Sequence, residues 1–177
     1  MPFPPDRRDP SALPPAPHRT RPPVRLESGG TAVVFQWCSD RWRHTVTFAG
    51  KCLAESVEGT ADGGDARWPV SPPLVELSAI DLEGGPALLA VGLAGRSHFS
   101  ASVRPHPGRA DTLLFEIACR VKERPSWLGS TYANGSVTES VAPPDAATSF
   151  PATVQWAYSI GPEGIQAAAP AQRSPSP

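Results

Sequence analysis

Residues Ala87–Tyr132 read ALLAVGLAGRSHFSASVRPHPGRADTLLFEIACRVKERPSWLGSTY. Within them, Asp111–Glu123 alternates strictly. Leu113, Phe115, Ile117, Cys119 and Val121 fall on one face; Leu114, Glu116, Ala118, Arg120 and Lys122 fall on the other. A period of two marks a strand with one buried face. Burying a large apolar side chain contributes about 1.5–3 kcal/mol, so this row sets the register. A slip of one residue would drive Glu116 and Arg120 into the core. Ser97–Arg104 behaves alike, with Phe99, Ala101 and Val103 opposite His98, Ser100, Ser102 and Arg104. Between the two runs lies Pro105-His106-Pro107-Gly108-Arg109-Ala110. Its prolines lack the N–H a ladder needs and its glycine permits positive φ, so the chain turns there into an antiparallel hairpin. Upstream, Ala87–Leu93 is continuously apolar and predicts a central strand covered on both faces.

The same reading extends outward in both directions. Val24–Glu27 predicts a short edge strand. Thr31–Cys38 and Trp42–Phe48 alternate on either side of Ser39-Asp40-Arg41 and predict a second hairpin, with Cys52–Val57 as a third strand. Glu58–Pro73 is rich in Gly, Asp and Pro and predicts a long loop, with Trp68 tucked back onto the domain. Leu74–Leu82 predicts a strand closed by Glu83-Gly84-Gly85-Pro86. Asn134-Gly135 is a hairpin-turn dipeptide, and Ala152–Ile160 carries Val154, Trp156 and Tyr158 in phase. No amphipathic helix of ordinary length is visible. The expected fold is all-β: an antiparallel β-sandwich or flattened barrel of roughly eight to ten short strands. It should span residues 24–166 as a single domain. Residues 1–23 (rich in Pro and Arg) and 167–177 (Ala, Pro and Ser) hold too few large apolar side chains to repay ordering, and are expected to be disordered tails.

Composition narrows the function. Net charge is −1 and 40% of residues are hydrophobic. A normal core is within reach, and nothing in the charge balance favours a nucleic-acid or membrane partner. Lysine occurs only at Lys51 and Lys122 against many arginines, a coding bias of GC-rich bacterial genomes. No apolar leader or membrane-spanning run is visible, and three cysteines is an odd number, so a cytoplasmic protein is expected, with Cys38 and Cys119 as buried thiols. A Cys38–Cys52 bridge across the hairpin is the alternative.

Phosphate-loop, Gly-x-Ser-x-Gly, Cys-x-x-Cys and His-Glu-x-x-His signatures are absent from the sequence. Asp62 and Asp65 in TADGGD lack the twelve-residue spacing of a calcium loop. No cofactor and no metal is expected, although His44 with His98 or His106 would make a metal pair if folding brought them together. The candidate ligand-binding residues are instead strand-borne. His98 and Arg104 share one face of a strand with Ser100 and Ser102; Glu116 and Arg120 share one face of its neighbour. If the two faces coincide, a histidine, a carboxylate and two guanidiniums converge, a set suited to a polyol, a carboxylate or a phosphate; the alternative is a solvated sheet face carrying cross-strand charge pairs. Trp127 and Tyr132, flanking Gly129, are candidates for an aromatic rim; plugging one end of the core is the other role open to Trp127 and Leu128. The partner is expected to be a protein or a small polar ligand.

The runs GRSHFSASVRP, LLFEIACRV, WLGSTY and VQWAYSIGPEGI resemble an uncharacterised bacterial family of small all-β proteins. The resemblance covers roughly Thr31–Ile165 and implies a shared fold, with no activity attached. The sheet-rich pattern is also similar to sugar-handling β-sandwiches of the mutarotase type. That likeness implies a His and Glu acid–base pair, for which His98 and Glu116 are the available residues, in a chain much shorter than those enzymes. Three readings therefore stand: a non-enzymatic binding sandwich, a carbohydrate-active enzyme, and a structural subunit that pairs strand edges in a homo-oligomer.

Overall fold

A computed structural model describes residues 21–61, 64–145 and 147–168. Twelve strands and no helix occur among them. In chain order these are β1 (Val24–Ser28), β2 (Thr31–Cys38), β3 (Arg41–Phe48), β4 (Lys51–Ser56), β5 (Leu74–Leu82), β6 (Gly85–Ala94), β7 (Ser97–Pro105), β8 (Leu113–Val121), β9 (Ser130–Asn134), β10 (Val137–Val141), β11 (Ala152–Gly161) and β12 (Gly164–Ala168). They form two six-stranded antiparallel sheets packed as a sandwich. Sheet A has the order β1-β2-β3-β4-β9-β10 and sheet B the order β12-β11-β8-β7-β6-β5.

The alternation that predicted the central hairpin is realised residue by residue. Leu113, Phe115, Ile117, Cys119 and Val121 all point inward and are buried. They meet Phe99, Ala101 and Val103 from β7 and Val154, Trp156 and Tyr158 from β11 on the same inner face. Across the sandwich stand Val33 and Phe35 of β2 and Trp42, His44 and Val46 of β3, which the second hairpin presents in the expected phase. Trp68 folds back from the long loop into this core. In the same loop Ser71 accepts the Thr131 N–H at 2.9 Å and donates to the Thr131 carbonyl at 3.1 Å, tying the loop to β9.

Three expectations change. β6 is not covered on both faces. Its small residues Ala90 and Ala94 turn inward with Leu88, while Leu89, Val91 and Leu93 turn out to solvent. Gly92, in the same inward phase, leaves room for the close approach of the Pro73 and Leu74 backbone. The last strand, β12, went unread because GIQAA has no apolar period, and it runs to Ala168, past the expected domain boundary. Cys38, expected to be buried, is only half-buried; Cys119 is buried as expected, and all three cysteines are free thiols, so the alternative Cys38–Cys52 bridge is not formed. The predicted tails lie almost wholly outside the described residues, as does Asp62; Asp65 is held by Arg67 at 2.7 Å. No helix among the described residues is long and apolar enough to cross a membrane.

Candidate functional site: the outer face of sheet B

The two polar strand faces do coincide. Antiparallel pairing of β7 with β8 sets His98 opposite Arg120, Ser100 opposite Ala118, and Ser102 opposite Glu116. All six side chains point away from the core. Arg104, one step further along, donates from Nε to Glu116 Oε2 at 3.2 Å, and Ser102 lies 3.4 Å from the same oxygen. Among the described residues no carboxylate stands within ion-pair distance of Arg120. Four of the six candidate residues are thus on one surface.

Neighbouring strands complete that surface. Pairing of β6 with β7 places Leu89, Val91 and Leu93 beside Ser102, Ser100 and His98. Pairing of β8 with β11 adds Ala157, Gln155 and Thr153 beside Glu116, Ala118 and Arg120. Three rows therefore cross the sheet: Leu89-Ser102-Glu116-Ala157, Val91-Ser100-Ala118-Gln155 and Leu93-His98-Arg120-Thr153. The middle row is built of short side chains at Ser100 and Ala118. Two adjoining hollows of about 400 and 420 Å³ lie over it and share Val91, Ser100 and Ala118. The β6 ridge along their side is exposed by 40% at Leu89, 46% at Val91 and 56% at Leu93. Scattered single apolar residues are ordinary on a protein surface, but three in line next to a groove are the pattern of a docking surface.

The other two candidates do not belong to it. Tyr132 sits on β9 of sheet A, points inward and is buried; it is a core residue, not part of a rim. Trp127 is half-buried against the core, with Nε1 donating to the Val70 carbonyl at 3.3 Å, and Leu128 beside it is buried. This is the plugging role. Neither Trp127 nor Tyr132 lines the hollows.

The histidines are also kept apart. His44 is buried in the core, His98 is outside on the opposite sheet, and His106 accepts the Gly108 N–H on Nδ1 in the β7–β8 loop. The proposed metal pair is therefore not assembled, and no group of three His, Cys, Asp or Glu ligands occurs among the described residues. His98 and Glu116 lie on one face but four residues apart along the ladder, about 13 Å at 3.3 Å per residue.

A second polar cluster lies inside the sandwich. His44 Nε2 is 2.9 Å from Tyr132 Oη, Tyr132 Oη is 2.7 Å from Tyr158 Oη, and Trp156 Nε1 donates to Ser130 Oγ at 3.0 Å. Burial pushes the His44 imidazole down to about 3, the Tyr158 phenol up to about 12, and the Tyr132 phenol well above its ordinary value. These groups stay neutral. The gap beside them is about 10 Å³, room for one water at most, so it is not a ligand site.

The exposed ridge is what the sequence reading missed. The signal was present in the alternation of Leu89, Val91 and Leu93 with Ala90, Gly92 and Ala94. A strand with its larger residues in one phase and its smallest in the other has chosen a face.

The architecture is an antiparallel β-sandwich of two sheets. Comparison with known protein families, with curated proteins and with solved structures finds no match for the chain.

Proposed function

We propose that the protein is a non-enzymatic binding module that docks a protein partner on the outer face of sheet B. The observation that carries this reading is the exposed line Leu89, Val91 and Leu93 beside a short-chain groove, bordered by the Arg104–Glu116 pair and by His98 and Arg120. An apolar ridge flanked by charged groups suits a protein interface: burial of the ridge supplies affinity, and the charges beside it supply orientation. A mutarotase-like enzyme would need His98 and Glu116 on one substrate carbon, and a spacing of about 13 Å along the ladder counts against it. Free thiols at Cys38, Cys52 and Cys119 are in keeping with a cytoplasmic setting.

The test is site-specific photocrosslinking of the full chain in lysate of the source cells. A photoreactive amino acid replaces Val91 in one sample and Thr45, on the outer face of sheet A, in another. Protein adducts are expected from position 91 and not from position 45. A silent position 91, or equal yields from both, would remove the reading.

A further inference from the structure

We propose that the occupant of this face is a second copy of the chain: two sheet-B faces stack about a two-fold axis running along the row Val91-Ser100-Ala118-Gln155, so that Glu116 of each copy faces Arg120 of the other. The inference rests on the docking reading above and names its partner.

The argument comes from the register. A two-fold axis lying in the interface and crossing the strands leaves the middle row facing itself and exchanges the two outer rows. Leu89 then meets Leu93 of the other copy, Ser102 meets His98, and Glu116 meets Arg120; Ala157, buried within its own chain, adds no contact opposite Thr153. Apolar meets apolar, hydroxyl meets imidazole, and anion meets cation, each twice by symmetry. Such self-complementarity is what a two-fold interface demands. It also supplies Arg120 with a carboxylate, which it lacks within its own chain among the described residues. Ser100 and Ala118 on the axis are short enough for two aligned sheets to approach to about 10 Å.

The area suffices. β5, β6, β7, β8 and β11 are nine or ten residues long. At about 4.8 Å between strands and 3.3 Å per residue they present a face of about 24 by 30 Å, or roughly 700 Å² per copy. That falls in the lower part of the range for specific interfaces, about 600–1,000 Å² per partner. Two features oppose the pairing. Arg104, four residues past Ser100 on the axis, would stand opposite Arg96 of the other copy, four residues before it in the β6–β7 turn. Glu76 lies opposite Val91 on the edge strand β5, in the axis row, and would face its own copy. At the open edge the repulsion is screened, and Glu76→Gln should tighten the pair.

Sedimentation equilibrium of the full chain, from about 1 to about 200 µM, a range suited to an interface of roughly this size, tests the proposal. Wild-type chain is expected to approach twice the monomer mass. Glu116→Arg alone and Arg120→Glu alone each create two like-charge contacts and should weaken association at least tenfold. An equimolar mixture of the two variants restores both attractions and should associate as tightly as wild type. Arg120 is exposed and Glu116 lies on the outer face paired with Arg104, so near-UV circular dichroism checks that each variant keeps the native fold. A wild type that stays monomeric, or a mixture no tighter than either variant alone, overturns the self-pairing. Neither result touches the docking reading, which stands or falls on the crosslink from position 91.

Discussion

Tyr132 Oη and Tyr158 Oη lie 2.7 Å apart at the centre of the sandwich, one hydroxyl from each sheet. Their hydrogen bond is a polar link between the layers, alongside the Trp156–Ser130 bond, and His44 extends it at 2.9 Å. Each ring also packs against Phe115, which stacks on Tyr158 and meets Tyr132 edge-on. The two hydroxyls are not equivalent. Tyr132 bridges His44 and Tyr158, whereas Tyr158 has the Ser130 hydroxyl as a second partner. Tyr132→Phe strands His44 Nε2 and Tyr158 Oη without this shared partner, and should cost about 1–3 kcal/mol. Tyr158→Phe leaves the His44–Tyr132 bond intact and should cost about 0.5–1.5 kcal/mol. Urea unfolding of both single variants and the double variant checks this; additive losses would mean the two hydroxyls do not couple.

Buried His44 makes the fold sensitive to acid. Its imidazole titrates at about 3 in the native chain because burial disfavours the charged form, against about 6.5 when unfolded. Between those values the unfolded chain holds a proton that the native chain lacks. Stability contributed by the neutral ring is therefore complete above pH ~6.5 and falls as pH drops, by up to about 1.4 kcal/mol per unit. Glu58 acts in the opposite sense. Burial raises its carboxyl pKa, so the native chain takes up that proton first and acidification relieves its penalty. The larger histidine shift should dominate, lowering the urea midpoint between pH 7 and pH ~5. His44→Phe should flatten that decline. Parallel pH curves for wild type and variant would assign the acid sensitivity elsewhere.

Much of this architecture was legible because strands with one buried face write their period into the sequence. β8, β7 and β3 each alternate apolar with largely polar residues and landed in phase, and in β2 the larger set Val33, Phe35 and Trp37 took the core side. That His98, Arg104, Glu116 and Arg120 share one face was legible for the same reason, since antiparallel pairing of two alternating strands brings their polar faces to one side. Tyr132 was not. It sits in the five-residue strand STYAN, and its hydroxyl is satisfied by partners 26 and 88 residues away. A tyrosine with a partner in the core and one at a rim look alike until those partners are known. The outward ridge of β6 failed for a different reason: an unbroken apolar run states that a strand is buried without stating on how many sides.

Asp111 joins the sheets at the end of the sandwich. Its Oδ1 accepts the Gly30 N–H at 2.5 Å, and its carbonyl accepts the Thr31 hydroxyl at 2.6 Å. The residue adopts φ of 52°, a conformation that aspartate and asparagine tolerate better than most side chains. Asp111→Ala loses the side-chain bond and keeps the left-handed backbone, and should cost about 1–3 kcal/mol. Asp111→Asn retains an acceptor and should cost less than half as much. Thermal melts of the two variants decide the matter; equal melting temperatures would mean the Gly30 contact contributes nothing.

Gly92 fixes how closely β6 lies against the start of β5. A Cβ at this position would stand 1.8 Å from the Pro73 carbonyl oxygen and 2.7 Å from its carbon. Both atoms are backbone and cannot rotate away. The β5–β6 register shifts between Leu74 and Glu76, just beside this contact, so the approach is built into the irregularity. Gly92→Ala must push the two strands apart, and overpacking of this kind costs about 1–3 kcal/mol or more. Gly84 is a fitting control: a Cβ there meets nothing within 4 Å, so Gly84→Ala should leave stability nearly unchanged. The displacement would also lift Val91 and Leu93 out of line. Gly92→Ala should therefore reduce crosslinking from position 91 even at temperatures where the chain stays folded, whereas Gly84→Ala should not. Full crosslinking by a destabilised Gly92→Ala chain would show that the docking face does not depend on this contact.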